Sequence, residues 1–178
     1  MCIRDRWSDE KEFADYQGRL CASISEGKRI VDILLFQPMT SVWSEYSPLH
    51  ARSEHAAENA YDIPFAKISR KLIEENLDFH YGNENLMAKY ASVDGKKLTI
   101  GQHSYKCVIV PPSDNMKSST LKILTEYAKN GGQLIFTSSL PHYVDGIKTN
   151  ISIPEAIIAM SIEDAVKIAG GDVYKRQL

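Results

Sequence analysis

The residues able to do chemistry are few and spread along the chain. Glu45 and Glu84 each follow an apolar run that reads as a strand, so both carboxylates are expected at strand C-terminal ends. Two carboxyl groups facing each other across a cleft are the equipment of glycoside hydrolysis: one protonates the leaving oxygen, the other attacks or activates water. A solvated loop carboxylate is the plainer reading of each. Ser138-Ser139 follows another strand-like run, where a nucleophile could sit, but no GxSxG turn surrounds it and it reads as a turn. The five histidines, His50, His55, His80, His103 and His142, form neither HExxH nor an i, i+4 pair, and a metal needs several convergent ligands. Cys2, Cys21 and Cys107 lack CxxC or zinc spacing, and an odd, sparse set argues against a disulfide framework. Cys107, inside an apolar run, reads as a small buried hydrophobe. Neither GxGxxG nor GxxxxGK[ST] occurs, so no nucleotide site is expected; nor is any metal or other cofactor.

The strongest candidate for function is the stretch Ser41-Val42-Trp43-Ser44-Glu45-Tyr46, inside an expected loop from Met39 to His50. Ligands of open parallel sheets bind beyond the C-terminal ends of the strands. Aromatic side chains there can stack on a sugar ring or anchor a partner domain. Trp43 and Tyr46 can equally cap the core, and both readings stay open.

The elements that must position these residues centre on Tyr105 to Ser139. Cys107-Val108-Ile109-Val110 is a continuous apolar run, as in a strand buried on both faces, and Pro111-Pro112 ends it because proline cannot donate to a ladder. Ser118 to Ala128 carries Leu121, Leu124, Tyr127 and Ala128 at helical spacing, and Gly131-Gly132 supplies a left-handed cap. Leu134-Ile135-Phe136 follows as the next strand.

Upstream, Trp7 to Glu26 is expected to be a helix capped by Ser8 or Asp9, with Phe13, Tyr16, Leu20 and Ile24 in one stripe. Val31 to Phe36 is the first strand. Arg52 to Tyr61 is helical, interrupted or restarted at Pro64 and continuing to Asn76. Leu77 to Tyr81 is the second strand, and Glu84 to Tyr90 a short helix. Ala91 to Ile100 is a hairpin about Asp94-Gly95. Thr137 to Asn150 reads as a polar loop, and Pro154 to Met160 and Ile162 to Ala169 as helices. Strands alternating with helices predict a flavodoxin-like open parallel α/β sheet in the order 2-1-3-4, with the hairpin inserted before the third strand.

With 178 residues the chain has room for one domain, and its apolar content of 43% against 25% charged suits an ordinary core. A net charge of −2 gives no reason to expect nucleic acid or an anionic membrane, and no apolar run approaches the roughly 20 residues of a membrane helix. Met1 to Arg6 and Val173 to Gln177 are similar to translated sequencing-adaptor tails of metagenomic reading frames. The expected layout is therefore an artefactual tail over 1–6, a connecting helix over 7–28, an α/β domain over 29–171 and a second tail over 172–178, all in a fragment of a longer protein.

Several short motifs occur in a distinctive order. They are Asp15-Tyr16-Gln17-Gly18-Arg19-Leu20, Asp32-Ile33-Leu34-Leu35-Phe36-Gln37-Pro38 with Ser41-Val42-Trp43, Leu77-Asp78-Phe79-His80-Tyr81-Gly82-Asn83-Glu84, Tyr105 to Pro112, and Gly131-Gly132. Over about residues 7 to 140 the chain resembles a region downstream of the catalytic barrel in α-L-rhamnosidase-like glycoside hydrolases, family 106 and relatives. That region is their class I glutamine amidotransferase-like domain, similar in fold to the trimerisation domain of family 42 β-galactosidases.

The resemblance implies a parent glycosidase, bacterial and secreted or periplasmic, whose catalytic residues lie in an upstream barrel. No catalytic residue is carried over. Where amidotransferases keep a cysteine, this chain has Thr137-Ser138-Ser139, and thiolate chemistry needs the thiol. The expectation is a non-catalytic accessory domain in carbohydrate degradation, partnered by the barrel, by carbohydrate or by a second copy in a homo-oligomer. Its cleft or interface residues would be Trp43, Glu45, Tyr46, His80 and Glu84. The rivals are a free-standing flavodoxin-like binding module and a small hydrolase using Ser138 or Ser139.

Overall fold

The computed structural model describes residues 7–25, 27, 29–47 and 59–171. Both adaptor-like tails, His50, His55 and the expected helix start over 52–58 lie outside the described residues, as do the side chains of the expected caps Ser8 and Asp9. The chain divides into two compact units, Met1–Ile30 and Val31–Leu178.

The first unit holds helix α1 (Trp7–Ser25). Its stripe of Phe13, Tyr16, Leu20 and Ile24 is exposed. In the last turn the Ser23 and Ser25 hydroxyls donate back to the carbonyls of Leu20 and Ala22, and Gly27 follows at a left-handed φ of 120°.

The second unit runs β1 (Ile33–Phe36), α2 (Met39–Glu45), α3 (Asn59–Glu74), β2 (Phe79–Gly82), α4 (Glu84–Tyr90), β3 (Ala91–Asp94), β4 (Lys97–Ile100), β5 (His103–Tyr105), β6 (Cys107–Val110), β7 (Asn115–Met116), α5 (Ser118–Lys129), β8 (Gln133–Phe136), β9 (Tyr143–Val144), β10 (Ile147–Lys148), β11 (Ile157–Ile158) and α6 (Ile162–Gly170). The main sheet is parallel throughout, in the order β11-β8-β6-β1-β2. Counting only its own strands along the chain, this is 2-1-3-4-5, the flavodoxin-like order. The expected fold class is observed, with one further edge strand.

The continuous apolar runs follow from cover on both faces. Successive strand residues point to opposite sides. Leu34, Phe36, Val108, Val110, Leu134 and Phe136 face one layer and pack with Met87 of α4, Leu98 and Tyr105 of the β3-β4-β5 meander, and Leu124 and Tyr127 of α5. Ile33, Leu35, Cys107, Ile109 and Ile135 face the other layer, with Ile68 and Leu72 of α3 and Val166 and Ala169 of α6. Burying each large aliphatic side chain stabilises by about 1.5–3 kcal/mol, so both layers are needed.

Two helices end by the same device. After α5 the Gly132 amide bonds the Tyr127 carbonyl and the Gly131 amide that of Ala128, with Gly131 at φ 80°. After α3 the Leu77 and Asn76 amides bond the carbonyls of Leu72 and Ile73, with Asn76 at φ 55°. Both are left-handed caps that return the chain towards the sheet. Gly132 has a second constraint: a Cβ there would lie 2.1 Å from the Tyr127 ring.

Several sequence expectations are corrected. Val31 and Asp32 precede β1, and the second strand runs 79–82 rather than 77–81. Between Asn59 and Glu74, α3 runs unbroken through Pro64. The hairpin is a three-stranded antiparallel meander, because His103 to Tyr105 also pairs with β4. Thr137 to Asn150 contains the β9-β10 ribbon, turned by Asp145 and Gly146, both at positive φ, as a tight two-residue turn requires. Pro154 to Met160 is a turn followed by β11, not a helix: Ile157 and Ile158 pair with Ile135 and Phe136 and complete the sheet edge. Finally, Met39 to Glu45 is a helix and not a loop. Its anchor is a set of long-range hydrogen bonds that periodicity does not show.

Candidate functional site

Those bonds begin at Ser41, whose side chain is fully buried. Its hydroxyl accepts from the amides of Asp114 and Asn115, each at 3.0 Å, and donates to the Asn115 carbonyl at 2.8 Å. One side chain thus fastens α2 to the loop between β6 and α5. Glu84 makes the second fastening. It opens α4 immediately past the end of β2 and is 3% exposed, the one buried carboxylate among the described residues. One of its oxygens accepts from the Thr40 amide at 3.2 Å and from the Thr40 hydroxyl; the other accepts from the Lys117 amide at 3.1 Å. The turns after β1, β2 and β6 are therefore tied together through one carboxylate, at the C-terminal edge where open α/β sheets bind ligands.

Over this tie lies an open cleft of about 300 Å³, lined by Met39, Thr40 and Trp43 from one side, Asn83, Glu84 and Asn85 from another, and Lys117. Trp43 is 67% exposed, and Tyr46 meets it edge-on with ring centroids 5.9 Å apart. The Asn83 side-chain oxygen caps α4, accepting from the amides of Asn85 and Leu86. The Lys117 ammonium donates to the Asn85 side-chain oxygen at 2.6 Å. The cleft thus offers an aromatic wall and a polar rim of two amides and one ammonium.

Of the residues singled out from the sequence, Trp43 and Glu84 meet in this cleft, and Tyr46 buttresses Trp43. Glu45 does not face Glu84. It ends α2 and accepts from the Tyr61 hydroxyl, whose pKa is pushed up first by burial and then by this hydrogen bond. The expectation that Glu45 sits directly at a strand end is therefore corrected; a helix intervenes. His80 lies within β2 beside Leu34, on the meander side of the sheet. Its Nδ1 is 3.0 Å from the Tyr105 hydroxyl, and its ring meets that of His103 at 4.8 Å. His80 is not among the cleft's lining residues. Thr40, Asn83, Asn85 and Lys117 were not foreseen. Only Asn83 carried a signal, as an Asn directly ahead of a short helix.

Among the described residues, the other groups considered form no paired nucleophile and base. His142 bonds Asp114 at 2.5 Å through Nδ1, and among the described residues no histidine hydrogen-bonds Ser138 or Ser139. Among the described residues no three His, Cys, Asp or Glu side chains converge as a metal site. Asp145, at the tip of the ribbon, bonds Ser118 at the start of α5, and that hydrogen bonding holds its carboxyl below the usual range. No described helix is long and apolar enough to cross a membrane. The chain matches no protein-family model, no curated protein and no solved structure.

Proposed function

We infer that this chain is a non-catalytic accessory α/β unit of an α-L-rhamnosidase-like glycoside hydrolase. The parent's acid and its nucleophile or base would sit in a barrel outside this chain. The observation that carries the non-catalytic part is the state of Glu84. The buried carboxylate at the sheet's functional edge accepts from three donors, and Glu45, the other acid considered, is turned to Tyr61. Neither is paired with the other as glycoside hydrolysis needs. The glycosidase setting rests on the order of short motifs between Asp15 and Gly132.

The purified chain is expected to release no nitrophenol from aryl α-L-rhamnosides or β-galactosides. Release above a blank, abolished by Glu84→Gln or Glu45→Gln, would overturn the reading. Recovery of the parent reading frame tests the setting: a barrel with inward-facing carboxylates upstream supports it.

One observation favours a second reading, a free-standing flavodoxin-like binding module. The cleft is walled by α2, by the start of α4 with its cap Asn83, and by Lys117, all of this unit. A native start near residue 7, with no barrel upstream, would support that alternative.

A further inference from the structure

We propose that the cleft between α2 and the β2–α4 turn is a subsite for a neutral sugar ring, with Trp43 as its platform. The inference rests on the carbohydrate setting of the proposed function and adds the ligand class and the groups that hold it.

The first argument is the indole. Trp43 is 67% exposed on the wall of a cleft, and the edge-on ring of Tyr46 steadies it. A large flat apolar surface with a polar N–H suits a partner that is apolar on one face and polar at its rim. A pyranose has that form, with C–H bonds on a face and hydroxyls around the edge.

The second argument is the inventory of polar groups. The Asn83 oxygen is used by the α4 amides and the Asn85 oxygen by Lys117, so each side chain still has its NH₂ to donate. The Lys117 ammonium has three protons and uses one on Asn85. What remains on the rim is a set of donors, matched to hydroxyl oxygens.

The third argument is charge. Lys117 and Glu84, of opposite charge, both line the cleft, and the Glu84 carboxylate accepts from the backbone amide of the lysine. The pair brings no net charge to the cleft, so an anion gains little over a neutral ligand. A volume of about 300 Å³ lies at the small end of ligand sites and has room for one or two rings.

The test is a titration of the full ¹⁵N-labelled chain followed by NMR. The chain has two tryptophans, so the Trp7 indole serves as the internal control for Trp43. The probes are methyl α-L-rhamnopyranoside, methyl β-D-galactopyranoside and, as the charged counterpart, D-galacturonate. A small ligand in an open cleft should bind with a Kd on the order of millimolar. The expected result is a saturable shift of the Trp43 indole N–H and the Asn83 and Asn85 side-chain amides with a neutral glycoside, while Trp7 stays in place. Trp43→Ala should remove saturation without changing the backbone amide pattern of the sheet, since the side chain is exposed. Lys117→Met should weaken binding roughly 2–10-fold, the worth of one hydrogen bond. The proposal is overturned by no saturable Trp43 shift up to about 100 mM of either glycoside, a concentration well above any millimolar Kd. Shifts that persist in Trp43→Ala overturn it too, as does tighter binding of galacturonate. Failure is separable from failure of the accessory reading: loss of sugar binding leaves an inactive chain inactive, whereas hydrolysis of aryl glycosides removes the accessory reading and leaves the shifts standing.

Discussion

At the residue scale, two side chains hold the C-terminal edge of the sheet together. Ser41 satisfies two backbone donors and one acceptor in a buried position, and Glu84 satisfies three donors, two from Thr40 of α2 and one from Lys117 just ahead of α5. Removing a partner from buried groups costs more than the mean worth of a hydrogen bond, because what is left behind stays desolvated. Glu84→Gln puts an amide donor against backbone donors. It is expected to lower stability by about 1.5–3 kcal/mol, the range for hydrogen bonds to a charged group. Urea unfolding checks this: the midpoint should fall while the slope holds. An unchanged midpoint would show that Glu84 does not tie the edge together, and would return it to the list of free acids. A second residue-scale expectation concerns alkali. Burial raises the pKa of Tyr61, Tyr105 and Tyr127 above the ordinary value near 10. A raised folded pKa means the unfolded state loses its protons first. The stabilisation is fully present below pH about 10 and declines as pH rises from there towards the folded values. Of the nine tyrosines, these three should ionise late in a spectrophotometric titration, together with loss of the near-ultraviolet circular dichroism signal.

At the element scale, the chain uses side-chain size and backbone handedness for different ends within one turn. Gly131 holds φ 80°, a left-handed position that costs a Cβ-bearing residue about 1–2 kcal/mol. Gly132 instead leaves room for Tyr127, whose hydroxyl bonds the Lys106 carbonyl and so ties α5 to the start of β6. Gly132→Ala is therefore expected to destabilise by about 1–3 kcal/mol or more through overpacking. The penalty should shrink when Tyr127→Leu is added, since the two positions share one clash. Equal penalties in both backgrounds would refute the account. Val110 marks the other limit. It is fully buried in β6, between two strands, and Val110→Asp places an unpaired charge there. That costs several kcal/mol or more, against a total stability of about 5–15 kcal/mol, so the unit should be unfolded at neutral pH by circular dichroism.

For the whole molecule, the unsolved surface is the first unit. Phe13, Leu20 and Ile24 of α1 are 55%, 48% and 74% exposed, an apolar stripe of the kind found at interaction surfaces. The isolated chain is expected to self-associate as its concentration rises, and Phe13→Ser with Leu20→Ser to reduce this. Light scattering decides: a wild-type chain that stays monomeric at high concentration would remove α1 as an interface and weaken the reading of the chain as part of a larger enzyme. The distribution of roles across the second unit is consistent with that reading. One edge of the sheet carries the cleft, and the carboxylate beneath it is committed to holding three turns.

What the sequence determined by itself was local and periodic. Runs such as Cys107 to Val110 and Ile33 to Phe36 announced strands covered on both faces, because an apolar residue at every position has no solvent side. The bounds of α4 and the end of α5 were legible for the same reason: Asn83 and Gly131 act on their own neighbours. Trp43 and Glu84 could be singled out by type and by their place after strands. What only the tertiary structure decided was which of these residues meet. Met39 to Glu45 is helical because Ser41 is held by Asp114 and Asn115, more than seventy positions away. Ile157 and Ile158 are a strand because β8 was left with an open edge, although their local pattern suits a helix. Glu45 and Glu84 looked alike in the sequence, and the fold sent one to Tyr61 and buried the other at the cleft that Trp43 also lines. Long-range hydrogen bonds leave no period in a sequence, since each joins two positions whose separation is set by everything folded between them.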